Sequence, residues 1–317
     1  MSLHVIVGAG AVGSGTAHVL AESGHDVRLV SRSGRDPAEP HPLIRPIALD
    51  PVTEAGAAGL VELTDGAATL YNCANPAYHR WPQDWPPLAA ALLSTAERTG
   101  AGLVTMSNLY GYGPVGAPMT EDTPLAARGT KGRVRVRMWT DALAAHRDGR
   151  ARATEARASD FYGPSAVDNA MLGERFVRPV VEGRPVYVLG DPDAPHSWSY
   201  LPDVATSLAV LGTDERSWGR AWHVPSSPPL SQRQVARRLA ELAGAREPRL
   251  RAVPAATVRA AGLFSPLVRV FRETLHQFQR PFVLDSSAFT ETFGVIATPV
   301  DDALKATLAW WQSRTAA

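Results

Sequence analysis

The hexapeptide GAGAVG at residues 8–13 constrains what this chain can fold into more than any other stretch. It follows the apolar run LHVIV and opens a helix-period segment that stops at Ser23-Gly24, after which DVRLV restarts as a strand. Strand, glycine turn, helix and strand in close succession make a βαβ unit. In G-x-G-x-x-G spacing, Gly8 permits the tight turn and Gly10 lets the backbone approach a pyrophosphate. Gly13 lets helix and strand pack closely, so that Ala11, Val12 and Gly13, at the helix N-terminus, face the phosphates. A dinucleotide site is expected here.

The end of the second strand chooses the nucleotide. A site for NAD places a carboxylate there to take the ribose hydroxyls. This chain has Ser31 and Arg32 instead, with Arg35 close behind. A hydroxyl beside a guanidinium suits a 2′-phosphate through charge-assisted hydrogen bonds. NADP(H) is therefore expected ahead of NAD(H). Asp50, ending the next β-like run, is placed either to meet the adenine amino group or to cap a helix.

Further β-like runs follow at LIRPIALD, ATLYNCA, GLVTMSN and RATEARASDFYG, with helical stretches such as WPPLAAALLSTAERTG between them. Strands alternating with helices predict an α/β fold with a Rossmann-type, doubly wound parallel sheet. From about Gly163 the rhythm loosens into proline- and glycine-rich loops. Helices are expected at SQRQVARRLAELAG, ATVRAAG, SPLVRVFRETLHQF and PVDDALKATLAWWQ. The expectation is a dinucleotide-binding domain over residues 1–162 and a smaller C-terminal α/β substrate lobe over 163–317, with the chain crossing between them.

Composition excludes several classes of partner. A formal net charge of +1 over 317 residues gives no electrostatic reason to bind nucleic acid or anionic lipid. No apolar run reaches the roughly 18 residues of a membrane span, and MSLHVIVGAG lacks the basic start of a signal peptide. Cys73 is the only cysteine, so no intrachain disulfide forms and a reducing, cytoplasmic compartment is expected. No His/Cys/Asp/Glu cluster has metal-ligand spacing, and no metal is expected. Lysine occurs only at Lys131 and Lys305.

Several later segments occur in a telling order: SNLYGYGP…EDTP, RASDFYGP, YLPDVATSLAVL and AWHVPSSPPLSQRQVARRLAELAG. Together with the glycine turn they resemble the extended short-chain dehydrogenase/reductase family, the NAD-dependent epimerase/dehydratase group, over nearly the whole length. The turn itself is one residue shorter than that family's usual GxxGxxG. The resemblance implies that Ser107, at the end of its strand, polarises a substrate oxygen. It places Ala74 and Phe161 beside the cofactor, and Asn108, Tyr112, His196 and Trp198 beside the substrate. It is compatible with a homodimer that packs the helices of WPPLAAALLSTAERTG and RVRMWTDALAAH against a second copy.

The family's Tyr-x-x-x-Lys pair is absent. Its region reads RGTKGRVRVRMWTDAL, which puts Thr130 at the tyrosine position and Val134 at the lysine position; no tyrosine lies between Tyr112 and Tyr162. In the family, that lysine holds the nicotinamide ribose and lowers the phenol's pKa, and the phenol moves a proton while hydride moves at carbon. Two residues are candidates to replace the phenol. Lys131 either donates the proton or holds the ribose; the opposing reading makes it a surface lysine opening a basic helix face with Arg133, Arg135 and Arg137. Tyr110 lies just beyond Ser107. Tyr78, His79, Trp81 and Trp85 are read either as an aromatic wall in a loop over the cleft or as packing and proline-turn residues. The function expected is an atypical oxidoreductase or epimerase acting on a small carbonyl or hydroxyl substrate. A non-catalytic redox sensor and a redox-neutral cyclase or dehydratase are the other readings.

Overall fold

The computed structural model describes residues 1–37, 39–167, 170–254, 256–257 and 273–315. The chain divides into two compact units. Unit 1 comprises Met1–Gly111, Thr130–Ala158 and Val204–Val224; unit 2 comprises Tyr112–Gly129, Ser159–Asp203 and Pro225–Ala317.

Unit 1 carries β1 (Leu3–Val7), α1 (Ala11–Glu22), β2 (Asp26–Ser31), β3 (Ile44–Ala48), α2 (Glu54–Thr64), β4 (Thr69–Asn72), α3 (Trp81–Thr99), β5 (Gly102–Asn108), α4 (Thr130–Arg147) and β6 (Ala153–Ala158). A later strand, β10 (Ala221–His223), completes a seven-stranded sheet in the order β10-β6-β5-β4-β1-β2-β3. Every pairing in it is parallel. This is the doubly wound sheet expected from the sequence. The strand order reverses between β1 and β4, and ligands of such sheets bind beyond the strand ends at that point. Because helices cover both faces, β4, β5 and β6 are buried almost throughout. Val5, Val7, Leu70 and Leu103 of the sheet pack with Trp81, Trp85, Leu88 and Leu92 of α3.

Unit 2 holds β7 (Asp160–Tyr162), α5 (Glu174–Val181), β8 (Val186–Leu189), β9 (Trp198–Tyr200), α7 (Gln232–Leu242), β11 (Leu250–Val253), α8 (Ser287–Phe293) and α9 (Val300–Thr315). Helix α6 (Leu201–Thr213) starts in it and continues into the Val204–Val224 segment of unit 1. The core of unit 2 gathers Phe176, Val177, Val235, Leu239, Leu304 and Leu308. Ser231 and Gln234 close a capping box at the start of α7. No helix among the described residues is long and apolar enough to cross a membrane.

The structure departs from the sequence reading in three places. RATEARASDFYG is not one strand: β6 stays in the main sheet, while β7 pairs with β9 in a separate two-stranded sheet. The break falls at Ser159, whose N–H donates to the Ser199 hydroxyl (3.0 Å) instead of continuing the ladder. Helix α3 begins at Trp81 rather than Trp85, since Pro82 lies in the first turn, where no N–H is needed. Of the helix expected at ATVRAAG only Ala256 and Thr257 are described, and both are helical; of that at SPLVRVFRETLHQF only residues 273–278 are described, and Leu275–Phe278 form a 3-10 turn.

Candidate active site

The turn after β1 is built for close approach. Gly8 has φ +114°, and a Cβ on it would stand 2.6 Å from the Ala74 nitrogen and the Cys73 carbonyl, at the end of β4. A Cβ on Gly13 would stand 1.8 Å from the Gly8 oxygen. At Gly10 the situation is opposite: a Cβ would meet nothing within 4 Å. Gly10 is also the N-cap of α1 and supplies no side-chain acceptor. Open space thus lies in front of first-turn amides that lack a cap, which is the arrangement a pyrophosphate fills.

At the end of β2 the Ser31 hydroxyl accepts from the Arg35 N–H (3.1 Å). Arg32 is exposed, with no ion pair among the described residues. Asp50 Oδ1 accepts from the Val52 N–H (3.2 Å), and the N-cap of α2 is Thr53. Of the two readings of Asp50, the helix cap is therefore not the one observed. Burial pushes the Cys73 thiol up to about 12, which leaves it a poor nucleophile.

The C-terminal part of β5 meets a cluster of aromatic rings and buried cations. Ser107 is 4% exposed, and its Oγ is buried with no hydrogen-bond partner among the described residues. Asn108 Oδ1 accepts from the Tyr110 N–H (3.1 Å), turning the chain into a 3-10 turn over Leu109–Tyr112. Lys131, only 4% exposed, places Nζ 5.2 Å from the centre of the Tyr78 ring and 5.1 Å from that of Tyr110. Tyr78 stacks on Trp81 with centroids 5.0 Å apart, and Trp81 lies 6.0 Å from Tyr110.

These positions correct two readings of the sequence. Lys131 is not a surface lysine. The inward face of α4 carries Lys131, Arg135 and Trp139, whereas Thr130, Arg133 and Arg137 are exposed and Val134 is half-buried. Nor do Trp81 and Trp85 form a wall in a loop; they are fully buried in the first turns of α3, while His79 is exposed. Sequence reasoning missed the charges beneath. Glu155 and Arg157 form an ion pair (2.7 Å) in which both side chains are 3% exposed. Their alternation along β6 puts both on one face, and that two-residue spacing was the available signal.

The remaining predicted residues lie in unit 2. Tyr112 is buried, and Phe161 is half-buried in β7. His196 is buried, with Nε2 2.9 Å from Asp160 Oδ2 and Nδ1 3.2 Å from the Gln277 carbonyl oxygen. Its ring stacks on Phe278 and lies 4.3 Å from that of Trp198. Trp198 Nε1 donates to the Leu230 carbonyl (2.8 Å). The polar atoms of both residues are engaged inside unit 2.

A family model described as the NAD dependent epimerase/dehydratase family matches residues 4–222. No curated protein matches the chain. Among solved structures, a dTDP-glucose 4,6-dehydratase from Bacillus anthracis in complex with NAD superposes with a TM-score of 0.80 at 15% identity, covering 100% of this chain and 98% of that one. A UDP-glucuronic acid 4-epimerase from Bacillus cereus in complex with NAD gives 0.77 at 16% identity, covering 98% and 99%. DesIV, a dTDP-glucose 4,6-dehydratase from Streptomyces venezuelae with NAD and TYD bound, gives 0.76 at 18% identity, covering 99% and 98%. All three have the fold described above.

Proposed function

Because the chain belongs to the NAD dependent epimerase/dehydratase family, we propose that it is an enzyme of that type, binding NADP(H) and acting on a small carbonyl or hydroxyl substrate without the usual phenol. The neighbouring structures carry the names of sugar-nucleotide dehydratases and epimerases, so nucleotide-linked sugars belong in the first substrate panel. When bound, the nicotinamide supplies or accepts hydride at the substrate carbon. Gly8, Gly10, Ala11, Val12 and Gly13 hold the pyrophosphate, with Ala74 and Phe161 further along the dinucleotide. Ser31 and Arg32 take a 2′-phosphate, and Asp50 meets the adenine. NAD(H) is the weaker ligand in this reading.

Ser107 donates its hydroxyl to the substrate oxygen. Lys131 Nζ gives the proton that the family's phenol would give, and the Tyr110 and Tyr78 rings hold the ammonium in place. Tyr110 Oη is the alternative donor. Asn108 shapes the turn that carries Tyr110, and Tyr112 lies beyond it as a substrate contact. The observation that carries this reading is the burial of Lys131 over two phenol rings, one of them following directly on the strand end where Ser107 keeps an unused hydroxyl. Conversion of carbonyl or nucleotide-linked sugar substrates in the presence of NADP(H), followed by product formation and lost in Lys131→Met, tests it.

The sensor reading draws on one specific observation, the lack of any tyrosine between Tyr112 and Tyr162. It predicts tight NADPH binding with no conversion of any substrate; an epimerase, dehydratase or cyclase converts substrate with no net NADPH consumption, whereas a reductase consumes NADPH. A cytoplasmic location fits the single free cysteine. A homodimer would use the outer faces of α3 and α4, where Leu93, Val134 and Met138 line a groove of about 800 Å³; sedimentation velocity checks it.

A further inference from the structure

One buried charge on α4 has no part in the reading above. Arg135 lies one helical turn beyond Lys131 and is 6% exposed. Its guanidinium sits in the corner of two indoles set at 83° to each other, with Cζ 4.7 Å from the centre of the Trp81 ring and 4.5 Å from that of Trp85. Nη1 donates to the Met106 carbonyl (3.2 Å), in the residue immediately before Ser107. Nε is buried with no hydrogen-bond partner among the described residues. Burial pushes the group down to about 10, with the Glu155 carboxylate acting the other way.

A guanidinium this deep, with an N–H unused, carries a desolvation penalty that an aliphatic side chain of similar volume would avoid. Stability does not explain its presence. The contacts do supply another reason. Trp81, clamped on one side by Arg135, is the ring on which Tyr78 stacks and beside which Tyr110 lies. Those two phenol rings are the ones that hold the Lys131 ammonium. The order along the cluster is Trp85, Arg135, Trp81, Tyr78, Lys131 and Tyr110, cation and ring alternating at both ends. The same guanidinium fixes the carbonyl next to Ser107.

We propose that Arg135 is the positioning residue of the site, aligning the rings that carry Lys131 through its planar face and the strand end that carries Ser107 through its N–H. The inference rests on the reading of Lys131 and Ser107 as catalytic groups. A lysine at 135 would keep the charge but lose both the stacking plane and the fixed geometry of the fork.

The chain offers an unusually clean probe, because Lys131 and Lys305 are its only lysines and Lys305 is exposed on α9. Biosynthetic incorporation of ε-¹³C-lysine gives signals from these two residues alone, and Lys131→Arg assigns the Lys131 signal. The faces of Tyr78 and Tyr110 should displace that signal upfield of the Lys305 signal. In Arg135→Met the Lys131 signal should move toward that of Lys305 while the Lys305 signal stays fixed. On any substrate found, kcat should fall roughly tenfold to a hundredfold with KM nearly unchanged, as expected for misplaced groups. A folded Arg135→Met protein in which neither the Lys131 signal nor kcat changes would overturn the proposal. If Arg135→Met does not fold, Trp85→Leu opens one side of the corner and is read in the same way. A signal that moves, together with full turnover in Lys131→Met, would uphold the alignment by Arg135 and overturn the proton-donor reading instead.

Discussion

An ammonium group facing two phenol rings, as Lys131 does, gains on the order of 0.5–2 kcal/mol from the ring quadrupoles. That interaction survives loss of the hydroxyl, which separates the two candidate donors experimentally. Lys131→Met should lower kcat by roughly 10² to 10⁴ and leave NADPH affinity nearly unchanged. Tyr110→Phe keeps the ring beneath Lys131 and should leave kcat within about tenfold of the parent; a larger loss would move the proton to the Tyr110 hydroxyl. Lys131 drew notice in the sequence through the scarcity of lysine, but its burial did not. A stretch reading KGRVRVR registers as a charged, outward face. The residues that reverse this, Trp81 and Trp85, belong to another helix. No local pattern on α4 reports that two indoles from α3 enclose the Arg135 guanidinium.

Among the elements, β5 and the β1–α1 unit were read from the sequence closely, because an apolar run, a glycine turn and a helical period are all local signals. Strand β6 was not. Its buried Glu155 and Arg157 break the apolar pattern, and its end at Ala158 depends on the Ser159–Ser199 hydrogen bond across a long sequence separation. That strand carries a prediction of its own. Glu155→Gln removes the carboxylate facing Arg157 in a site where both side chains are 3% exposed, and it should destabilise the protein by roughly 3–5 kcal/mol. Glu97 pairs with Arg150 on the surface, where Arg150 is 49% exposed. Glu97→Gln should therefore change stability by less than about 1 kcal/mol. Urea denaturation of the two variants side by side checks the contrast, and equal losses would contradict it. In the phosphate turn, Gly13→Ala places a Cβ 1.8 Å from the Gly8 oxygen. NADPH affinity should be lost in that variant, which equilibrium dialysis would show.

For the molecule as a whole, the arrangement at the start of β1 sets a response to acid. His4 is buried, with Nε2 2.9 Å from the Ser2 hydroxyl and Nδ1 3.3 Å from that of Tyr71, and Ser2 also reaches His25 Nδ1 (2.8 Å). Burial first, then the charge of His25, pushes His4 from 6.5 down to about 4. The fold holds this ring neutral while the unfolded chain takes up a proton, so the stability it supports is complete above pH 6.5 and is lost as pH falls toward 4. At pH 5 the loss amounts to about 2 kcal/mol. Urea midpoints at pH 7.5 and pH 5 should differ accordingly, and the difference should shrink in His4→Gln. At this scale the parallel sheet was readable from the alternation of strands and helices. The positions of the five crossings between the units, at Tyr112, Thr130, Ser159, Val204 and Pro225, were not. The segments between them are placed by pairings distant in sequence, such as β10 with β6 and β7 with β9. The central claim concerns the nucleotide, and it is tested most directly by titrating the protein with NADPH and with NADH while following nicotinamide fluorescence. The account predicts that NADPH binds the more tightly by roughly tenfold or more, with the preference removed in Arg32→Ala. Equal or tighter binding of NADH, or binding of neither, would contradict it.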